Sequence, residues 1–331
     1  MIEVRTPSRL HFGLLAFDGS WSSRQFGGVG LMIRYPDVKV QIELASDFTG
    51  AGRMSDRAVE FAKRFATNAI DGGLIERDDL PGVSVRVVRV PRPHTGLGTG
   101  TQLGMAVGRA LTRLVTLDDA VSPAQLAMLV GRGQRSAVGV HGCFGGGFLV
   151  EGGKIDPDAI SPKLMQLTFP DDWRIVLIRP IRLVGTAGQR ERQAFANMPR
   201  FELKVTARMC QLVLMGMAPA VAERDLSRFG EALFELQQRV GQCFTTVQGG
   251  TYGDPSLEEI VSAIRLEGVT GVGQSSWGPT LYAVTGDQDR AEHLVDTLQR
   301  RFGLEHGEIG ITKADNHGAS VKDVRSAVRS D

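Results

Sequence analysis

Two glycine-rich stretches carry the strongest chemical signal in the sequence. The first, Gly96-Leu97-Gly98-Thr99-Gly100-Thr101, ends a strand-like segment and opens a helix-like one. Glycines let a backbone wrap closely around a ligand, and the free N–H groups and dipole at a helix start favour an anion such as phosphate. The hydroxyls of Thr99 and Thr101 suit phosphate oxygens or a magnesium ion. No Lys follows the last glycine, so this is not the nucleotide-binding P-loop. The spacing and acidic partner of a dinucleotide fold are missing too. A glycine-rich turn without a ligand is the alternative. The second stretch, Gly268–Gly286, sets Gln274, Ser275, Ser276 and Trp277 just before a strand. Trp277 either stacks against a flat ring or wedges into a domain interface.

At the N-terminal end, Ser8, Arg9 and His11 punctuate a strand. Arg9 and His11 have the same parity and so share one face. A charge on an inward face needs a partner, and a phosphate is one; a surface-facing pair is the alternative. His141 and Cys143 also share parity, but no set of base, nucleophile and orienting group assembles around them. Cys143 therefore reads as structural. The loop GTAGQRERQAF, residues 185–195, offers arginines that clamp an anion or simply stay solvated.

These residues need a scaffold. The 331 residues give a prior of roughly two domains. With 38 Lys+Arg against 37 Asp+Glu, the net charge of +1 supplies no global field to draw nucleic acid or an anionic membrane. Three scattered cysteines exclude a disulfide framework and a zinc knuckle, and they fit a reducing cytoplasm. No signal-peptide pattern and no run of 18 apolar residues is seen, so a cytoplasmic protein without a spanning helix is expected. Strands are expected over residues 1–17, 38–44, 83–90, 174–179, 280–285 and 307–312. Helices are expected over 55–69 (capped by Ser55), from the glycine loop to about 115, over 122–131 (capped by Ser122), 201–218, 220–241, 256–266 (capped by Ser256) and 288–302. A tight hairpin is expected over 144–154. Strands and helices interleave in both halves, which predicts an α+β protein with two layers per domain. The polar stretch 155–172 marks the division, giving domains 1–165 and 166–331.

The two loops together resemble the GHMP kinase superfamily: residues 96–101 look like its phosphate-binding motif, and 271–278 like its C-terminal glycine-rich motif. That resemblance implies a ribosomal-S5-like N-terminal domain and a ferredoxin-like C-terminal domain. In the mevalonate-type kinases an Asp stands in a stretch that here runs from Ser136 to Gly146-Gly147, and this chain has Gly139 at that place. Glycine neither accepts a proton nor positions a hydroxyl, which weighs against an ATP-dependent small-molecule kinase, the alternative function.

A narrower resemblance covers most of the chain. SRLHFGLL (8–15), RQFGGVGL (24–31), PHTGLGTGTQL (93–103), SAVGVHGCFGGGFLVEGG (136–153), GTAGQRERQAF (185–195) and VGQSSWGPTLY (272–282) look like the β-ribofuranosylaminobenzene 5′-phosphate synthase family. Thr99 stands where a Ser is expected, which keeps the hydroxyl. The resemblance implies a phosphoribosyltransferase that joins phosphoribosyl pyrophosphate to 4-aminobenzoate or 4-hydroxybenzoate. Carbon dioxide and pyrophosphate are released, with magnesium, in the biosynthesis of tetrahydromethanopterin-type one-carbon carriers. Carbon dioxide leaves where a ring proton otherwise would, so no base need remove one. Arg9, His11 and Arg24 are the catalytic candidates this implies. Gly96, Leu97, Gly98, Thr99, Gly100 and Thr101 would bind phosphate, with Thr99 and Thr101 near magnesium. Ser8, Arg190, Glu191, Gln274, Ser275, Ser276 and Trp277 would bind substrate. The expected partners are those small molecules, with neither nucleic acid nor membrane, and a homodimer is compatible with the sequence.

Overall fold

The computed structural model describes residues 1–17, 24–117, 120–183, 185, 193 and 198–324. Two long alternating segments, β1 (Ile2–Leu14) and β2 (Gly28–Leu44), pair antiparallel and form the spine of the first sheet. β2 starts at Gly28, ten residues before the strand expected over 38–44. One end of it, Gly28–Leu31, pairs with β5 (Phe148–Glu151), and the other end, Lys39–Leu44, pairs with β4 (Val83–Arg89). β3 (Thr49–Ala51) lies parallel to β4, with α1 (Ser55–Asp71) as the crossover. β6 (Lys163–Leu167) pairs with β5, and β11 (Ser320–Asp323) pairs with β1.

One face of this sheet is covered by α1, α2 (Thr99–Leu114), α3 (Pro123–Leu129) and α4 (Val138–Gly145). Phe61, Phe65, Leu103, Val107 and Leu111 pack there against Val4, Val40, Ile42 and Val85. Each such side chain contributes roughly 1.5–3 kcal/mol on burial. Ser122 caps α3 in a reciprocal capping box with Gln125. Ser55 is the first helical residue instead of the cap; Met54, in the left-handed region at φ 62°, holds the cap position without a side-chain bond. The expected hairpin over 144–154 is a helix, a turn and a strand. α4 is apolar nearly all round and largely buried, which removes the one-sided period that marks a helix in sequence.

The second sheet runs β10 (Ile309–Thr312), β7 (Arg174–Ile178), β9 (Leu281–Thr285), β8 (Gly271–Gln274), antiparallel throughout. With α8 (Pro255–Leu266) between β7 and β8, and α9 (Gln288–Phe302) between β9 and β10, this is the ferredoxin-like strand order. α8 is capped by Asp254, whose carboxylate accepts the Ser256 amide at 2.9 Å, so Ser256 lies inside the helix. Alternate residues divide the sheet's faces. Val176, Ile178 and Ala283 meet α8 and α9, while Ile175, Leu177, Tyr282 and Val284 meet α7 (Leu226–Gln248). Phe229, Leu233 and Leu236 of α7 share that core with Leu10, Phe12 and Leu31 of the first sheet. α7 therefore ties the two sheets together.

The pair of helices expected to break near Pro219 breaks later. α5 (Leu203–Gln211), a widened turn (Leu212–Met217) and α6 (Ala218–Glu223) form one rod. Proline lacks an N–H and crowds the carbonyl four residues back; the wide turn immediately before Pro219 makes room for it. The rod ends at Arg224, with φ 60°. By length and composition Leu203–Glu223 is apolar enough to cross a membrane, which departs from the expectation of no such helix. One side of it packs into the core, with Met209, Val213 and Met217 wholly buried, while Leu203, Leu214 and Met215 on the rod are exposed. The expected division at 165/166 falls within β6, which stays in the first sheet, and β11 brings the chain back to β1.

Candidate active site

A cavity of about 510 Å³ opens between the first sheet and α7. β1 contributes Arg9 and His11, on one face as their parity predicts. Their even-numbered neighbours Leu10, Phe12 and Leu14 belong to the core, and Phe12, Gly13 and Leu14 also reach the cavity wall beyond the register shift at His11–Gly13. The first turn of α2, the segment 131–136, Gln237, Val240 and Phe244 of α7, and the 274–278 loop complete the wall.

The phosphate-type cradle forms where β4 gives way to α2. Gly96 has φ +86° and Gly98, the residue capping α2, has φ +69°. A side chain in that region costs roughly 1–2 kcal/mol. The Gly98 carbonyl accepts the amides of Thr101 and Gln102, each at 3.0 Å, which starts the helix. The earliest amides of a helix have no partner within it, so this N-terminus presents donors and a positive dipole end to the cavity. Arg9 lies over the loop: its amide donates to Leu97 O at 3.0 Å and its Nη1 to Gly96 O at 3.4 Å. Arg57 and Arg132 flank the Phe61 ring, 5.5 and 5.9 Å from its centre, an arrangement that favours guanidinium groups electrostatically. Arg135 lines the cavity as well, and no acidic side chain does so among the described residues. The charge balance suits a ligand with several negative groups.

The second loop closes over the first. A β-carbon on Gly96 would overlap the Ser275 carbonyl oxygen, and one on Gly278 would overlap the Gly96 amide. Ser275 is wholly buried. Its Oγ donates to Gly96 O at 2.7 Å and accepts the His11 amide at 3.0 Å. Gln274 accepts the Gly253 amide through Oε1 at 3.0 Å. Ser276 is exposed, with φ 55°, and its amide donates to His11 O at 3.1 Å. Trp277 lines the cavity and packs edge-on against Phe244, ring centres 5.2 Å apart.

Behind the cavity runs a buried polar chain. His11 Nε2 lies 3.1 Å from Ser136 Oγ, and that hydroxyl donates to Glu151 Oε1 at 2.6 Å. Glu151 Oε2 accepts the Ala137 amide, also at 2.6 Å. Burial pushes the Glu151 carboxyl up to about 7, against the lowering effect of the Ser136 and Ala137 hydrogen bonds. His11 is held well below its ordinary range, first by burial and then by the Arg9 charge.

Several expected site residues lie elsewhere. Ser8 has the core-side parity and is buried, away from the cavity wall. Arg24 is not brought to the cavity; its guanidinium donates to Gly152 O and Gly153 O, bracing the turn after β5. Arg190 and Glu191 lie outside the described residues. The Thr99 hydroxyl donates to Arg92 O at 3.4 Å, and the Thr101 hydroxyl accepts from Arg132 at 3.2 Å. Both are thus engaged with protein groups. No cluster of three His, Cys, Asp or Glu suited to a metal occurs among the described residues. At Gly139 the carbonyl accepts Gln102 Nε2 at 2.7 Å, and a β-carbon there would stand 3.1 Å from the same nitrogen.

Sequence reasoning missed Ser136, Glu151, Arg57, Arg132 and Arg135. A carboxylate closing the otherwise apolar strand Phe-Leu-Val-Glu was the signal for Glu151, and the Gly-Arg-Gly-Gln-Arg-Ser run at 131–136 was the signal for Arg132 and Arg135.

The family model for the C-terminal part of GHMP kinases matches residues 217–304. In overall structure the chain is similar to homoserine kinase from Cytophaga hutchinsonii, with TM-score 0.68, 18% identity and 97% of each chain covered. It is likewise similar to mevalonate diphosphate decarboxylase from Staphylococcus aureus, with TM-score 0.66, 13% identity, and 98% of this chain and 99% of that one covered. Those likenesses establish the GHMP fold. In sequence it is similar to the β-ribofuranosylphenol 5′-phosphate synthase of Methanothermobacter thermautotrophicus, 30% identical over 96% of this chain and 97% of the relative. The synthase of that name from Archaeoglobus fulgidus is 34% identical, over 97% of this chain and 100% of its own. The chain belongs to the β-ribofuranosylphenol 5′-phosphate synthase family.

Proposed function

We propose that this chain transfers the phosphoribosyl group of phosphoribosyl pyrophosphate to the carboxylate-bearing ring carbon of a 4-substituted benzoate. The bond from ribosyl C1 to the pyrophosphate oxygen breaks, and that oxygen keeps the electron pair. A ring carbon–ribosyl carbon bond forms. The ring–carboxylate bond then breaks, its electrons return to the ring, and carbon dioxide leaves. The observation that carries this reading is the cavity itself: a helix N-terminus and four arginines, no lining carboxylate among the described residues, and an aromatic wall. The donor brings a 5′-phosphate and a pyrophosphate to the cationic side, where stabilising the leaving group's charge lowers the barrier. Trp277 and Phe244 form the wall suited to the benzoate ring. The relatives' name, a phenol riboside, points to 4-hydroxybenzoate over 4-aminobenzoate as the acceptor.

Thr99 Oγ1 donates its hydrogen to Arg92 O and keeps its lone pairs for a magnesium ion, whereas Thr101 Oγ1 accepts from the Arg132 guanidinium, a cation that disfavours a metal beside it. Magnesium is read here as the counter-ion that travels with the pyrophosphate donor. A kinase reading lacks its base, since residue 139 is glycine and no carboxylate lines the cavity among the described residues.

The test is release of labelled carbon dioxide from carboxyl-labelled 4-hydroxybenzoate and 4-aminobenzoate, with magnesium, with and without phosphoribosyl pyrophosphate. Release that depends on the donor is expected, faster with the hydroxy acid. Folded protein that releases none with either acid overturns the reading.

A further inference from the structure

The polar chain behind the cavity is not used by any contact to phosphate or ring. Glu151 is 2% exposed and closes a strand of buried apolar residues. A carboxyl there is costly to ionise, and an apolar side chain would fill the place without that cost. Yet both of its oxygens are satisfied, and through Ser136 it reaches a histidine on the cavity wall. The Ser136 hydrogen is committed to Glu151, so Ser136 Oγ acts as acceptor to its other neighbours, the Val138 amide at 3.4 Å and His11 Nε2–H at 3.1 Å. That leaves His11 Nδ1 as the acceptor nitrogen of the ring.

We propose that Glu151 is a positioning residue which, through Ser136, enables His11 to borrow the hydroxyl proton of a phenolic acceptor during phosphoribosyl transfer. The inference rests on the function proposed above and adds to it the holder of that proton. As the ring carbon attacks and pyrophosphate departs, the ring gains positive charge and its para hydroxyl becomes strongly acidic. His11 Nδ1 takes that proton, Nε2–H moves to Ser136 Oγ, and the Ser136 hydrogen moves to Glu151 Oε1. When the ring–carboxylate bond breaks, electrons return through the ring and the proton returns to the oxygen by the same path. No proton is consumed, and no co-reactant is needed.

The charges around the chain favour this resting place for the proton. Arg9, beside His11 on β1, opposes a lasting imidazolium. Burial raises the proton affinity of Glu151, and Lys154 beyond the end of β5, a cation electrostatically linked to it, works against that without cancelling it. An amino acceptor depends less on the relay, because its nitrogen carries the developing charge as an iminium with its protons in place.

The experiment measures carbon dioxide release at saturating donor for wild type, Glu151→Gln and Ser136→Ala, with each acceptor, from pH 5.5 to 8.5. Both variants are expected to lose at least tenfold in kcat with 4-hydroxybenzoate and less than threefold with 4-aminobenzoate, at unchanged KM for the donor. Only the ionised carboxylate accepts the proton, so wild-type kcat with the hydroxy acid should rise as pH rises through about 7. That rise should vanish in Glu151→Gln. Equal losses with both acceptors, or wild-type rates with the hydroxy acid in both variants, overturn the relay alone. Absence of release by wild type overturns the function and the relay together. Ser136→Ala keeps the Glu151–Ala137 bond, so it decides the matter if Glu151→Gln does not melt cooperatively.

Discussion

Residues 96–101 and 274–278 are both short runs of glycine with hydroxyl or amide side chains, and they touch at Gly96 and Gly278. In the first loop the glycines serve the backbone: Gly98 starts α2 in a left-handed conformation, and the helix end faces the cavity. In the second, two of the polar side chains are already engaged, while Ser276 is exposed at the cavity. Ser275 joins His11 to Gly96, and Gln274 holds Gly253. Similar composition therefore hides two arrangements, one that turns backbone N–H groups to the cavity and one that braces it with side chains. Only Trp277 of the second loop adds a large side-chain surface to the cavity wall.

Breaking the contact between the loops should have the largest effect. Gly96→Ala puts a β-carbon into the Ser275 carbonyl at φ +86°, so we expect a loss of roughly 3 kcal/mol or more and no measurable carbon dioxide release. Gly303→Ala is the control in a thermal melt, since φ is +65° there with nothing within 4 Å, and it should cost about 1 kcal/mol. A melt that ranks the two equally would show that the loops do not depend on that contact.

Next comes Arg9→Ala, which removes a charged donor from the cradle. The folded variant should lose about 10- to 100-fold in kcat/KM for phosphoribosyl pyrophosphate, corresponding to about 1.5–3 kcal/mol. Turnover and donor binding at wild-type levels would take Arg9 out of the site. Ser275→Ala sharpens the comparison from the bracing side. It leaves the His11 amide and the Gly96 carbonyl short of a partner, so stability should fall by about 1–3 kcal/mol while KM values stay within about threefold. A tenfold rise in KM at unchanged stability would mean that Ser275 touches substrate. The smallest expected effect is that of Trp277→Leu, a several-fold rise in benzoate KM from about 0.5–1.5 kcal/mol of aromatic contact. If donor KM moves instead, the ring sits against another wall.

Much of the site was legible because it is local. A strand, close glycines and a helix start bring a helix N-terminus to the cavity within six residues, and strand parity put Arg9 and His11 on one face. The same parity argument, applied to Ser8, would have placed it with Leu10 on the core side, where it lies. Arg24 failed for a different reason: a guanidinium satisfied by two backbone carbonyls looks the same in sequence as one awaiting a phosphate.

The sequence by itself determined most of the long strands and helices and the glycine loop that begins α2, because each depends on periodicity or backbone freedom over a few neighbours; the ferredoxin-like second half came from the family resemblance, and β8, β11 and α4 were not expected. It also determined family membership, through motifs spread along the whole chain. Only the tertiary structure decided that α5 and α6 run on through Pro219, that β11 returns to β1, and that residues 11, 136 and 151 meet in one hydrogen-bonded chain. Those contacts join distant residues, and the desolvation that sets the Glu151 carboxyl at about 7 exists only once the sheet, α4 and the loops have closed around it.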